Sequence, residues 1–457
     1  MAHGRSRRSL SAAGRFRSGS DRVDALRPAM DRPASRNFGI GVAEEAAPRW
    51  IYPLIVSLFF VWGFATVLVD SLIPRLKGLF SLSYSEAMLT QFCFFIAYFV
   101  VSVPASLMLG RIGYLRALSA GLVAMAIGCL MLAASALWGR YAGFLLALFV
   151  VASGVTMLQV AANPLISLLG GGDARAHARL TLAQGFNALG TTVGPLFGAA
   201  FILSAELSSS SGASPLPAPS SVPAQEAMQL GAPFLAIAVG LTILAALFWR
   251  VREGRWTPSA AVAKAPTLAL LREPRLLFGV VAIFLYVGAE VSIGSILVNY
   301  LMQPVTLHLD MAAAGRGASL YWGGAMVGRF LGAALLRRLP AATMLMIVAA
   351  GAAALAALSA TSHGVVSAAA IVAIGLFNAI MFPTIFGLAI ETLGEATAAA
   401  SGALCMSIVG GAVLPLLTGA VADRAGLGAA LFVPVACYLC IAGYGVFAGR
   451  VSAVKKI

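Results

Sequence analysis

Two carboxylates are candidates for chemistry because of where they lie. Of the 17 Asp and Glu in the chain, only Asp70 and Glu290 fall well inside long apolar runs, FFVWGFATVLVDSLIP and FLYVGAEVSIGSILVNYL. A carboxylate at membrane depth is costly, so it is paired, wetted or neutralised by taking up a proton, and such groups are functional by default. A group that gains and loses a proton there is a candidate proton carrier. Arg329, in YWGGAMVGRFLGAALL, is the one basic residue deep in such a run. It needs an anion or a set of carbonyls, and would serve as a gate, a balance for Glu290 or a structural anchor.

The second set is neutral. Between Gly154 and Gly194 the chain reads GVTMLQVAANPLISLLGGGDARAHARLTLAQGFNALGTTVG, two apolar segments joined by a short Gly-rich loop. Gln159 and Asn163 stand four apart and Gln184 and Asn187 three apart, so each pair projects from one face of a helix. Amides facing hydrocarbon would lack partners, so these faces turn inward, towards one another or towards a wet cavity. Asn378 adds a fifth amide from a later segment. Five amides in three segments favour a shared lining over separate interhelical bonds, and an amide-lined cavity suits an uncharged polyol. Tyr98, Tyr286, Asn299, Tyr300, Gln303, Tyr321 and Trp322 are further candidates to stack on a ring or bond hydroxyls, though each also suits simple packing.

The elements that must position these residues are membrane helices. Hydrophobic residues fill 60% of the 457 positions and charged residues 11%, against about 25% charge in a soluble domain. No compact core could hide that much apolar surface, so the bilayer is its solvent. The formal charge of +14 is distributed by topology: ten of the 31 Lys and Arg precede Trp50 and most others sit in short loops. That pattern argues against nucleic acid as a partner. The five cysteines lie within spans, the four histidines are scattered, and no Gly-Lys-Ser/Thr follows Gly170-Gly171-Gly172. No disulfide framework, metal site, cofactor, ATP site or enzymatic constellation is expected.

Twelve apolar segments follow Trp50, with cores near 52–74, 85–109, 117–136, 142–168, 180–204, 229–250, 276–303, 312–336, 342–361, 366–390, 399–421 and 428–449. Each is long enough to cross about 30 Å of hydrocarbon. Residues 1–48 read as a basic, disordered cytoplasmic tail, or as an upstream extension if the natural start is Met30. A six-helix half spans 49–250, a cytoplasmic linker 251–275, a second half 276–449 and a short tail 450–457. Fifteen basic residues in even-to-odd loops and the C-terminal tail, against five in the other loops, put both termini in the cytoplasm. The loop around SSSSGASPLPAPSSVPAQ is an outer Pro/Ser-rich linker.

The halves read as copies. ALGTTVGPLFGAA answers IVGGAVLPLLTGA, matching Gly190 with Gly410 and Pro195 with Pro415; Arg111 answers Arg338, and Pro164 answers Pro383. An offset of 220 superposes Asp70 on Glu290, whereas 224 aligns Trp62 with Tyr286 and Ala65 with Ala289. Duplicated halves around a midplane site describe a secondary transporter.

The segments FFVWGFATVLVD, LQVAANP, RLTLAQGFNALGTTVGP, YVGAEVSIGS and FPTIFGLAIETLG together resemble the fucose/glucose/galactose permeases of the major facilitator superfamily, over about Leu58 to Gly449. The resemblance implies an all-α membrane protein of twelve helices in two pseudo-symmetric halves, in a bacterial inner membrane, importing a hexose or deoxyhexose with H⁺. A monomer with no cofactor is expected, and sugar, proton and lipid bilayer are its partners. Asp70 matches the family's first-span acid of protonation and sugar binding, and Gln184 and Asn187 match substrate-facing amides of its fifth span. Gln159 stands where fucose-type members carry an essential Glu, and Thr66, Val67 and Val69 replace asparagines near Asp70. The first departure leans towards the glucose/galactose branch, with Glu290 as a second acid, and the second argues for a sugar other than fucose. Thr66 and Tyr286 join Gln159, Asn163, Gln184, Asn187 and Asn378 as substrate-binding candidates. A facilitator or exporter of another small neutral metabolite or drug is the alternative.

Overall fold

Long apolar runs have few ways to satisfy their backbone in hydrocarbon, and this chain uses the helical one throughout. The computed structural model describes the backbone of residues 48–80, 84–138, 141–169, 175–209, 224–251, 257 and 267–454. Within these, the side chains of 68–80, 84–89, 136–138, 195–209, 224–230, 267–268 and 452–454 lie outside the description. The N-terminal tail, the Pro/Ser-rich linker at 210–223, most of the connector at 252–266 and residues 455–457 are therefore outside the described residues, and so is the side chain of Asp70.

Helices α1 (Ile51–Phe80), α2 (Tyr84–Ile112), α3 (Tyr114–Trp138), α4 (Tyr141–Leu168), α5 (Ala176–Ser209) and α6 (Ala224–Arg250) come first. They are followed by α7 (Pro274–Met302), α8 (Met311–Leu335), α9 (Ala341–Thr361), α10 (Gly364–Ile390), α11 (Gly394–Ala430) and α12 (Phe432–Val454). Among the described residues, nine of these are long and apolar enough to cross a membrane, and α1 contributes a shorter apolar stretch, Ile51–Val67. The expected cores fall on the helices. The backbone breaks at Gly426, where φ is +85°, between the cores read at 399–421 and 428–449. Glycine takes a positive φ without the Cβ penalty, and the backbone leaves the helical region there, so Gly410–Ala430 is two helices joined at a kink.

Packing repeats with a period of six helices. The principal pairs of the first half, α1 with α5, α3 with α4, α3 with α6 and α2 with α4, recur as α7 with α11, α9 with α10, α9 with α12 and α8 with α10. The halves meet mainly along α2 with α11 and its counterpart α8 with α5. Matched glycines make the matched contacts. A Cβ on Gly190 of α5 would sit 2.3 Å from the Phe60 carbonyl oxygen of α1, and one on Gly410 of α11 would sit 2.0 Å from the Phe284 carbonyl oxygen of α7. Because Phe284 follows Phe60 by 224 positions, helix packing selects the 224 offset between α1 and α7. Glu290 is thereby the counterpart of Thr66, and Asp70 is matched by Gly294, so the two acids are not repeat equivalents.

Candidate functional site

Two prolines shape the frame of the candidate site. Proline lacks an N–H, so the carbonyl four residues earlier loses its helical partner. In α4, Pro164 frees the carbonyl of Val160, which instead accepts from Ser401 Oγ of α11 at 2.8 Å, a bond between the two halves. In α10, Pro383 frees the carbonyl of Ala379, where the helix breaks between Asn378 and Met381. There Arg329 Nε of α8 donates to it at 3.3 Å. Arg329 Nη1 also donates to the Gln184 carbonyl of α5, at 3.4 Å, so this half-buried cation ties both halves through carbonyls. Its charge still acts on Glu290 and Tyr286.

The first-half amides sit on α4 and α5 and are locked by neighbours. Gln159 Nε2 donates to the Tyr98 hydroxyl of α2 at 2.7 Å. Gln184 Nε2 donates to Asn163 Oδ1 at 3.1 Å, which joins α5 to α4. Gln159, Asn163 and Gln184 are all buried, and Asn163 Nδ2 is a buried donor with no partner in the protein. Asn187 Nδ2 donates to the Phe59 carbonyl of α1 at 3.0 Å. Thr66 Oγ1 donates back to the Trp62 carbonyl at 2.8 Å, one helical turn earlier. These are the ways that membrane helices satisfy polar groups, each worth about 0.6 kcal/mol on average.

A matching group occupies the second half. Asn378 Nδ2 of α10 donates to the Tyr321 hydroxyl of α8 at 2.7 Å, and Asn378 Oδ1 is buried without a partner. Tyr286 donates to Glu290 Oε1 at 2.8 Å, one turn along α7. Tyr286, Glu290, Tyr321 and the buried Tyr438 of α12 lie within electrostatic reach of one another. Phe382 stands over Tyr286 with ring centroids 6.5 Å apart, which adds an aromatic wall.

The five amides thus form two groups, four in the first half and Asn378 in the second, with Arg329 reaching from one towards the other. What the sequence reading left among many candidates is the tyrosine in each group. Tyr98 and Tyr321 are 223 positions apart, Gln159 and Asn378 are 219 apart, and each amide donates to its tyrosine. A hydroxyl that accepts from an amide keeps its own proton as a donor, so each pair combines donor and acceptor capacity without net charge. The repeat offset, applied to polar residues as well as to Gly and Pro, was the signal that could have found them.

At the end where α4 meets α5 and α10 meets α11, called here the Arg-rich end, the halves are in contact. His177 of α5 packs against Gly387 of α10, where an added Cβ would lie 2.5 Å from Nδ1. His177 keeps some exposed surface but Nδ1 is buried and unbonded, and burial lowers its proton affinity while Glu391 pulls the other way. Beside it the buried Arg275 of α7 pairs with the half-exposed Glu391. Arg275 is the last residue of the stretch expected to be a cytoplasmic linker, and its side chain is 3% exposed. Gly402 of α11 presses on Ser106 of α2 near the same end.

Comparison with known proteins agrees with this architecture. The family model described as Major Facilitator Superfamily matches residues 54–414. A glucose/galactose transporter of Brucella abortus is 45% identical over 402 residues, covering 87% of this chain and 93% of that protein. The L-fucose-proton symporter of Escherichia coli is 30% identical over 406 residues, covering 85% and 91%. The crystal structure of a Major Facilitator Superfamily transporter, FucP, in the outward conformation has a TM-score of 0.77 at 29% identity, covering 87% of this chain and 98% of that one. With the family model spanning most of the chain and the twelve helices paired as two repeats, this protein belongs to the Major Facilitator Superfamily.

Proposed function

We propose that the protein is a secondary active transporter that takes up a neutral monosaccharide such as glucose, galactose or fucose together with H⁺. The observation that carries this reading is the pair of buried amide-to-tyrosine bonds, Gln159 to Tyr98 and Asn378 to Tyr321, one in each half. They offer donors and acceptors without net charge, which suits a polyol and not an ion. The relatives named for glucose/galactose and for L-fucose and proton carry cargo of that class.

Within this reading Asp70 is the coupling acid and Glu290, held by Tyr286, is a second ionisable group. Gln159, Asn163, Gln184, Asn187, Thr66, Tyr286 and Asn378 line the sugar site, and Arg329 anchors the gate between halves. Gln159, an amide in place of the acid expected of fucose-type members, favours glucose or galactose. The Arg-rich end faces the cytoplasm, the protein acts as a monomer in a bacterial inner membrane, and its closed Arg-rich end corresponds to an outward-facing state. The sugar moves by alternating access, and a ligand that bound both states equally would drive nothing.

Counterflow of a radiolabelled sugar panel into proteoliposomes, with and without an inward proton gradient, tests this. Glucose or galactose should exchange fastest, and only the gradient should drive accumulation. Equal uptake with and without the gradient would point instead to a facilitator, and exchange of no sugar would remove the substrate assignment.

A further inference from the structure

A second cavity is not lined by any of the amides. It has a volume of about 630 Å³ at the Arg-rich end and is lined by Tyr52, Arg175, Ala178, Arg179, Leu182, Arg337 and Arg338. Tyr52 begins α1 and Arg175 and Arg179 bracket the first turn of α5, all in the first half. Arg337 and Arg338 follow α8 in the second. The cavity therefore straddles the seam where α5 meets α8, just beyond the contact of Phe186 with Phe330, whose ring centroids are 5.7 Å apart.

A preference for basic residues on one side of a membrane explains arginines in these loops. It does not explain four of them converging on one cavity from opposite halves. Arg175, Arg337 and Arg338 are exposed and Arg179 is half-buried, so the two halves together present four cationic groups to one space. One of them is also pre-positioned. Arg179 Nη2 donates to the Ser167 carbonyl at 3.0 Å and Nε to the Ile166 carbonyl at 3.4 Å, the last turn of α4. A guanidinium fixed in this way loses little freedom on meeting a ligand, and its planar fork of donors fits phosphate oxygens two at a time. The volume lies within the range of small-molecule sites, roughly 300–1,000 Å³.

We propose that this basin binds a phosphate-bearing anion, either a free phosphorylated solute or the headgroup of an anionic phospholipid, which bridges the two halves and holds the Arg-rich end closed. The ligand binds the arrangement in which Arg175 and Arg179 face Arg337 and Arg338. It therefore binds one state of the transport cycle better than the other and shifts the population towards it. The site is distinct from the sugar site, and its occupancy would set how readily the carrier opens at this end.

The test uses the full-length protein in nanodiscs of phosphatidylcholine, where both faces are accessible. Thermal unfolding is followed in two arms, one titrating inorganic pyrophosphate at constant ionic strength, the other replacing part of the lipid by phosphatidylglycerol. A rise in midpoint with pyrophosphate identifies a soluble anion, and a rise with phosphatidylglycerol alone identifies a headgroup. In either arm Arg337→Gln/Arg338→Gln should weaken the response about tenfold, a change of roughly 1.4 kcal/mol. Arg175→Gln, from the other half, should weaken it too, which keeps the test valid if the double variant folds poorly. Arg111→Gln/Arg116→Gln removes the same charge from exposed positions at this end that do not line the cavity, and should leave the response intact. No rise in either arm, or an equal loss in the Arg111/Arg116 control, would overturn the site.

Discussion

Tyrosines 98 and 321 decide which way the buried amides of this carrier point. Each accepts from an amide two helices along in its own half, and removing its hydroxyl leaves that amide nitrogen without its partner. Tyr98→Phe and Tyr321→Phe are each expected to raise the KM for sugar about tenfold, the effect of losing about 1.4 kcal/mol of hydrogen bonding, while unfolding midpoints move little. Initial rates of counterflow against sugar concentration would check this. An unchanged KM in both variants would remove the tyrosines from the site. At this scale the sequence was informative about residue type and poor about partners. Asp70, Glu290, Arg329 and the five amides stand out because polar groups are rare in apolar runs. That Arg329 would bond the carbonyl freed by Pro383, or Asn187 the carbonyl of Phe59, depends on helix rotation and approach, which a one-dimensional pattern does not encode.

Helices here are held by pairs of features repeated in each half. Glycines 190 and 410 let α5 and α11 ride directly on the backbones of α1 and α7. Gly190→Val and Gly410→Val would drive a side chain into a backbone carbonyl, so both should abolish transport and lower the unfolding midpoint. Gly240→Ala, at a position with no heavy atom within 4 Å, should be tolerated. Equal behaviour of the three variants in a melting and uptake series would contradict the packing argument. The prolines act the other way, opening a hole in the helical ladder that a neighbouring side chain fills, Ser401 for α4 and Arg329 for α10. The apolar segments were legible from hydropathy alone, since their length is set by the bilayer, and among the described residues nine of the helices are long and apolar enough to cross it. The non-helical break at Gly426 falls between the last two expected cores, 399–421 and 428–449.

As a whole, the molecule is a duplicated bundle closed at its Arg-rich end by Ser401 on Val160, Gly402 on Ser106 and His177 on Gly387. The duplication was readable in Gly and Pro spacing, but its register at α1 and α7 was not, and packing was needed to choose 224 over 220. That choice separates the two acids. Asp70 has no acidic counterpart in the second half, and the proposed mechanism makes it the coupling acid, with Glu290, bonded to Tyr286, as a second ionisable group. The most direct measurement uses proteoliposomes loaded with a pH-sensitive dye. Addition of glucose or galactose outside should acidify the lumen with the wild-type protein. With Asp70→Asn the dye signal should vanish while sugar counterflow persists. Undiminished sugar-driven acidification in the Asp70→Asn protein would contradict the account.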